Sequence, residues 1–155
     1  MFGFFTKKSA SDLAHNAKNV KRWKSEHIKL QKEAGKVHDI YMKDNPTKAK
    51  EGLKRLHLMT MEHLMDEDST FHSMLREQKD RTEDSEEKQE ILAAIEEFRH
   101  SFRDTKQVLF RFFTRYSHPD IKLDETFLEE FTGIIDALVA RIEFEEKELY
   151  SLIDK

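Results

Sequence analysis

At 155 residues and 18.5 kDa the chain is sized for one domain, and four Gly and two Pro are too few for the turns of a sandwich or barrel, which leaves an all-α class. The absence of Cys excludes disulfides, thiolate zinc sites, cysteine-ligated iron–sulfur clusters and cysteine nucleophiles, so any metal site must be built from His and carboxylates. The net charge of −4 is unevenly divided: residues 1–50 carry 12 Lys/Arg against 5 Asp/Glu, and residues 51–155 carry 15 against 26, a split that a basic helix packed beside acidic ones explains without a nucleic-acid partner.

The N-terminal Phe2, Phe4 and Phe5 precede Lys7 and Lys8, the reverse of a secretory signal, and residues 1–9 read as an apolar and basic extension that covers one end of the domain formed by residues 10–155. Three aromatics are too few for stable membrane anchoring, although they leave room for a homodimer contact. The longest apolar stretch, Gly133 to Ala140, is short and contains Asp136, so the expectation is a cytoplasmic protein without a membrane span. Asn45-Pro46 reads as a helix cap and first turn, Asp84 with Glu87 has the spacing of a capping box, and Asp124 is placed to cap the last helix. These signals divide the chain into helices at roughly 10–43, 46–79, 85–116 and 125–153, joined by short connections as in an up-down-up-down four-helix bundle.

Each helix has one apolar stripe at the helical period. The stripes run through Val20, Trp23, Leu30, Ala34 and Tyr41, then Leu53, Leu56, Leu64, Phe71 and Met74. They continue through Ile91, Phe98, Phe102, Leu109, Phe112 and Tyr116, and finally Phe127, Ile134, Leu138, Leu149 and Leu152. Five polar residues share these faces: His27 between Trp23 and Leu30, the pair His63 and Glu67 one turn apart, and the pair Arg141 and Glu145 spaced likewise. In the expected topology they converge at one level, facing Phe98 and Phe102. Charged groups rarely enter a core unpaired, so the cluster calls for a metal or for internal pairing. Of the other histidines, His57, His72 and His100 fall on flanks or outer faces, His15 and His118 lie near a terminus and in a loop, and His38 is expected to be a second inward histidine.

The chain resembles the hemerythrin-like (HHE cation-binding) family through Glu26-His27, through His63-Leu64-Met65-Asp66-Glu67-Asp68 after Leu53 to Leu56, and through Arg141 to Tyr150, over roughly residues 13–153. The resemblance implies a non-haem di-iron site in a helical bundle, and it carries over His27 and His63 as terminal ligands of one iron, with Glu67 and Glu145 as the carboxylates. Where the family has the histidines of the second iron, this chain offers Phe98 and Phe102 on helix 3 and Arg141 on helix 4. A complete di-iron centre is therefore not expected. Arg141 is expected to bridge Glu67 and Glu145, leaving a reduced site for one Fe, Zn or Mn ion. Three functions follow in order: a metal-binding module that responds to oxygen, redox state or iron supply, with a signalling partner; a metal-free interaction domain in which Arg141 pairs with Glu67 and Glu145; and last an enzyme with a two-His-one-carboxylate iron.

Overall fold

The capping chemistry places two of the helix starts. Asn45 Oδ1 accepts from the Lys48 backbone N–H at 3.2 Å, with Pro46 in the first helical position, and Asp124 Oδ1 accepts from Phe127 N–H at 3.0 Å. The computed structural model describes residues 2–79 and 86–153, and all the regular structure among them is helical. Helix α1 spans Phe2–Met42, α2 Pro46–Lys79, α3 Glu86–Ser101, α4 Arg103–Tyr116 and α5 Glu125–Phe144. A π-helical segment, Glu145–Leu149, continues α5 and leads into α6, Tyr150–Ile153. Helix α1 thus begins at Phe2 rather than near residue 10. The side chains of Phe2, Phe4, Phe5 and His15, and the pairing of Asp84 with Glu87, lie outside the described residues. No helix among the described residues is long and apolar enough to cross a membrane.

Helix α1 lies along α2, α4 touches both α2 and α5, α3 packs on the π-helical segment, and α6 returns to α1. The helix expected over 85–116 is divided at Phe102, whose backbone (φ −111°, ψ 14°) leaves the helical region. Neither Gly nor Pro causes this break. It falls where the rings of Phe98, Phe102 and Phe144 meet, with centroids 5.3 to 5.9 Å apart, and the Phe102 N–H still reaches Phe98 O at 3.1 Å, so the chain direction is nearly preserved.

The apolar side chains form two clusters rather than one. The larger contains Leu30, Leu53, Leu56, Leu64, Leu109, Phe113, Phe127 and Ile142; the other contains Val20, Trp23, Phe71, Ile95, Phe98, Leu149, Tyr150 and Ile153. Each of the expected stripes reaches the core, with two shifts. His38 is 47% exposed and lies 3.6 Å from Asp39, because the neighbouring Val37 takes the inward position in its turn. Leu152 is half-buried while Ile153 is buried, since the π-helical segment inserts one extra residue per turn and rotates everything after it by about one position.

Phe71 anchors the second cluster: it is fully buried, with Trp23 at 5.4 Å and Phe98 at 5.7 Å between ring centroids. Phe71→Ala is expected to lower unfolding free energy by about 3–5 kcal/mol, read as a reduced denaturant midpoint with an unchanged slope. A loss below about 1 kcal/mol would show that this cluster does not hold the fold together.

Candidate metal centre

Between the two apolar clusters lies a layer of buried polar side chains. His27 stands between Trp23 of one cluster and Leu30 of the other, Glu67 between Phe71 and Leu64, and Glu145 between Leu149 and Ile142. His27, His63, Glu67, Arg141 and Glu145 are all buried, as the helical spacing predicts. One donor atom from each of His27, His63, Glu67 and Glu145 lies within 4.8 Å of all the others.

The orientation of the imidazoles decides what this cluster can do. His63 Nδ1 is 2.7 Å from Glu26 Oε1, and His27 Nδ1 is 3.2 Å from Glu146 Oε1. Each outer carboxylate favours a proton on the Nδ1 that it meets, which turns both Nε2 lone pairs inward. The two Nε2 atoms are 3.0 Å apart. His27 Nε2 is also 3.0 Å from Glu145 Oε2 and 3.5 Å from Glu67 Oε1, and His63 Nε2 touches Glu67 Oε1. Four electron-pair donors therefore point at one buried place, and one more acceptor, Glu67 Oε2, is buried without a hydrogen-bond partner. Such a set repels itself unless protons or a cation sit among the atoms. Two imidazole nitrogens and two carboxylates fit a divalent transition metal, and the outer Glu26 and Glu146 are the orienting partners that such a site uses.

Without a metal, protons take that role. Burial lowers the affinity of His27 for a proton, but hydrogen bonds and charge from Glu145 and Glu67 outweigh burial and push its pKa up to about 10. His63 is raised for the same reasons, burial being overcome by Glu67 and by Glu26, with His27 opposing. Burial raises Glu67, yet hydrogen bonds from His27 and His63 hold its carboxyl well below the usual carboxylate range. Glu145 moves upward, through burial and then through the negative charge of Glu67.

Arg141 does not form the expected bridge. Its Nε donates to Glu145 Oε1 at 2.9 Å, but its Nη2 lies 3.8 Å from Asp68 Oδ1 and has no hydrogen-bond partner. Glu67 belongs to another helix, where His27, His63 and Tyr150 all meet its Oε1 and leave Oε2 without a partner. The guanidinium instead lies over the Phe98 ring, 4.8 Å from its centroid, so Phe98 and Arg141 do stand together beside the cluster. Phe102 is half-buried, its ring tilted 45° to that of Phe98 with centroids 5.3 Å apart.

Three residues at the site carry no role in the sequence reading. Glu26 and Glu146 were legible only as neighbours of His27 and Glu145. Tyr150 is the larger omission. Its Oη donates its one proton to Glu145 Oε2 at 2.5 Å, with Glu67 Oε1 a second acceptor at 3.2 Å and His27 Nε2 3.4 Å away. Burial, followed by the charges of Glu67 and Glu145, keeps the phenol protonated far above its ordinary range. In a regular α-helix Glu145 shares its face with Leu149, four residues on. The Tyr150 N–H bonds to Glu145 O, five residues back, and this π register aligns Tyr150 with Glu145 instead. A run of Glu-Glu-Lys-Glu does not announce that extra residue.

Comparison with known proteins gives one match: the family model described as the Hemerythrin HHE cation binding domain matches residues 18–153, a span that contains every residue of the cluster. No curated protein and no solved structure matches the chain.

Two outcomes are expected from this geometry. Arg141 is 2% exposed and ion-paired to a buried carboxylate, so Arg141→Ala is expected to cost about 3–5 kcal/mol by leaving Glu145 uncompensated. An unchanged melting temperature would show that the pair does not stabilise the fold. The second outcome concerns pH in chelator-treated protein. Because the folded-state pKa of His27 is raised from 6.5 to about 10, its contribution is complete below 6.5 and is lost as pH rises through about 10. Thermal melts should therefore show a falling midpoint between pH 7 and pH 10 that His27→Gln flattens.

Proposed function

The chain belongs to the hemerythrin HHE cation-binding domain family, and from that membership we propose that it is a metal-responsive module whose centre takes a single Fe, Zn or Mn ion. We infer the ligands to be His27, His63, Glu67 and Glu145, in a bundle with the family's up-down-up-down order of helices. The observation that carries this reading is the pair of buried Nε2 atoms facing each other at 3.0 Å, with each Nδ1 engaged by an outer carboxylate.

A metal bound here would supply Lewis acidity and, for Fe or Mn, a one-electron redox couple. The protein's own contributions are specific. Glu26 and Glu146 hold the two imidazoles in the tautomer that offers Nε2. Tyr150 fixes Glu145 Oε2 and can move with its proton between Glu145 and Glu67. Trp23, Phe71, Phe98 and Leu149 exclude water from one side of the layer, and Leu30, Leu64 and Ile142 from the other. Arg141 fills the place of a second metal with a fixed positive charge, so two-electron chemistry shared by two irons does not suit this chain. Sensing of oxygen, redox state or iron supply in the cytoplasm, transmitted to a protein partner, is the role that such a one-metal site supports.

A second reading rests on Arg141 itself. Its bond to Glu145, together with a protonated His27, neutralises the layer without metal and suits an interaction domain that works through its surface. Metal content and its effect on stability separate the two. Protein purified without a chelating tag is expected to carry about one Fe, Zn or Mn per chain, and His63→Ala should abolish it. Saturating metal at about 100 times its dissociation constant should add roughly 2.7 kcal/mol of stability, which a chelator removes. About two irons per chain would overturn the one-metal reading, and less than about a tenth of a metal after supplementation with each ion would leave the metal-free domain.

A further inference from the structure

A solvent-open cavity of about 1090 Å³ is lined by residues of α2, α3 and α4 together with Arg141 of α5. Its apolar surface is contributed by Met61, Leu75, Phe98, Phe102 and Phe110. Its charged lining is cationic: Arg76, Arg99, Arg103, Lys106, Arg111 and Arg141 stand against two acids, Asp68 and Glu96. This runs against the composition of residues 51–155, where acids outnumber Lys and Arg 26 to 15. Lys106 is engaged by Asp68, but Arg76, Arg99, Arg103 and Arg111 have no ion-pair partner among the described residues. From below, the buried Arg141 presents Nη2 without a hydrogen-bond partner.

Cations gathered around one concavity repel each other, and their field is focused by the low-dielectric aromatic wall beneath them. None of the donors of the metal centre, His27, His63, Glu67 and Glu145, lines this cavity. An inorganic anion would satisfy the guanidiniums and leave the aromatic wall wet; a neutral apolar molecule would do the reverse. A molecule with an anionic head and an apolar tail satisfies both. We propose that this cavity is a binding site for an amphipathic organic anion, a carboxylate or phosphate monoester whose head group meets the Arg99 and Arg103 guanidiniums, four residues apart, and whose tail lies on the aromatic lining of Phe98, Phe102 and Phe110. Phe110, part of this lining, is 56% exposed.

The test is calorimetric titration of the full chain, as purified and again after chelator treatment, with sodium decanoate and with decyl phosphate, each below its micelle concentration. Decanol, acetate and inorganic phosphate are the controls. One decyl anion per chain is expected, bound at least about tenfold more tightly than any control and weakened by added salt. The stronger of the two decyl compounds identifies the head group as carboxylate or phosphate. The double variant Arg99→Glu/Arg103→Glu, and separately Phe110→Ser at its exposed position, should each weaken binding by about tenfold or more with unchanged circular dichroism. Decanol binding as tightly as the anions would overturn the proposal, as would equal binding of acetate or phosphate, uptake of several anions per chain, or unaltered affinity in both variants. Titration in both metal states keeps this result separate from that of the neighbouring centre.

Discussion

Two imidazole nitrogens and two carboxylates are driven into contact between two apolar clusters, and the rest of the structure answers to that crowding. Each of the four groups brings lone pairs to a place from which water is excluded, where bare repulsion among them would be worth many kcal/mol. The outer shell makes the problem sharper, because Glu26 and Glu146 draw the imidazole protons outward and leave the inner nitrogens open. Something positive must sit in the middle. Protons on His27 and His63 satisfy the demand in one state, and a divalent cation fits the same donors in another.

The neighbouring features can be understood as responses to the same excess of negative charge. Arg141 delivers a permanent cation to Glu145 from within the same helix, one turn earlier, where the i, i+4 geometry makes the contact easy. Tyr150 delivers a neutral donor to the other oxygen of Glu145, and needs a π-helical turn to do so. Such turns are disfavoured in isolation and recur at functional sites, where a specific contact compensates for the weaker helix. Between them, Arg141 and Tyr150 hold both oxygens of one carboxylate while Glu67 is held by the histidines. The two acids move in opposite directions: burial raises both, but hydrogen bonds from His27 and His63 outweigh it at Glu67, whereas at Glu145 the charge of Glu67 adds to it.

Arg141 also joins two regions that chemistry would otherwise keep apart. One end of its guanidinium bonds a buried acid at the centre, and the other borders a cavity rich in arginine. The guanidinium carbon sits over the Phe98 ring, 4.8 Å from its centroid. An anion in the cavity would share its field with Glu145 across a single planar group, so the two sites are electrostatic neighbours even though no donor is common to them.

The sequence by itself determined the helical class, the capping positions at Asn45 and Asp124, and the inward faces of His27, His63, Glu67, Arg141 and Glu145. These depend on a 3.6-residue period and on local hydrogen bonds, which involve only residues a turn or so apart. Tertiary structure decided the remainder. Whether Arg141 reaches Glu67 depends on the distance between two helices, and Val37 displaces His38 from the interior because of how α1 settles on α2. Glu26 pairs with His63 across 37 positions of sequence, a contact that no local rule contains. The extra residue of the π-helical turn belongs here too: an ideal period carried past Glu145 points to Leu152, and only packing against His27 and Trp23 selects Tyr150 and Ile153 in its place.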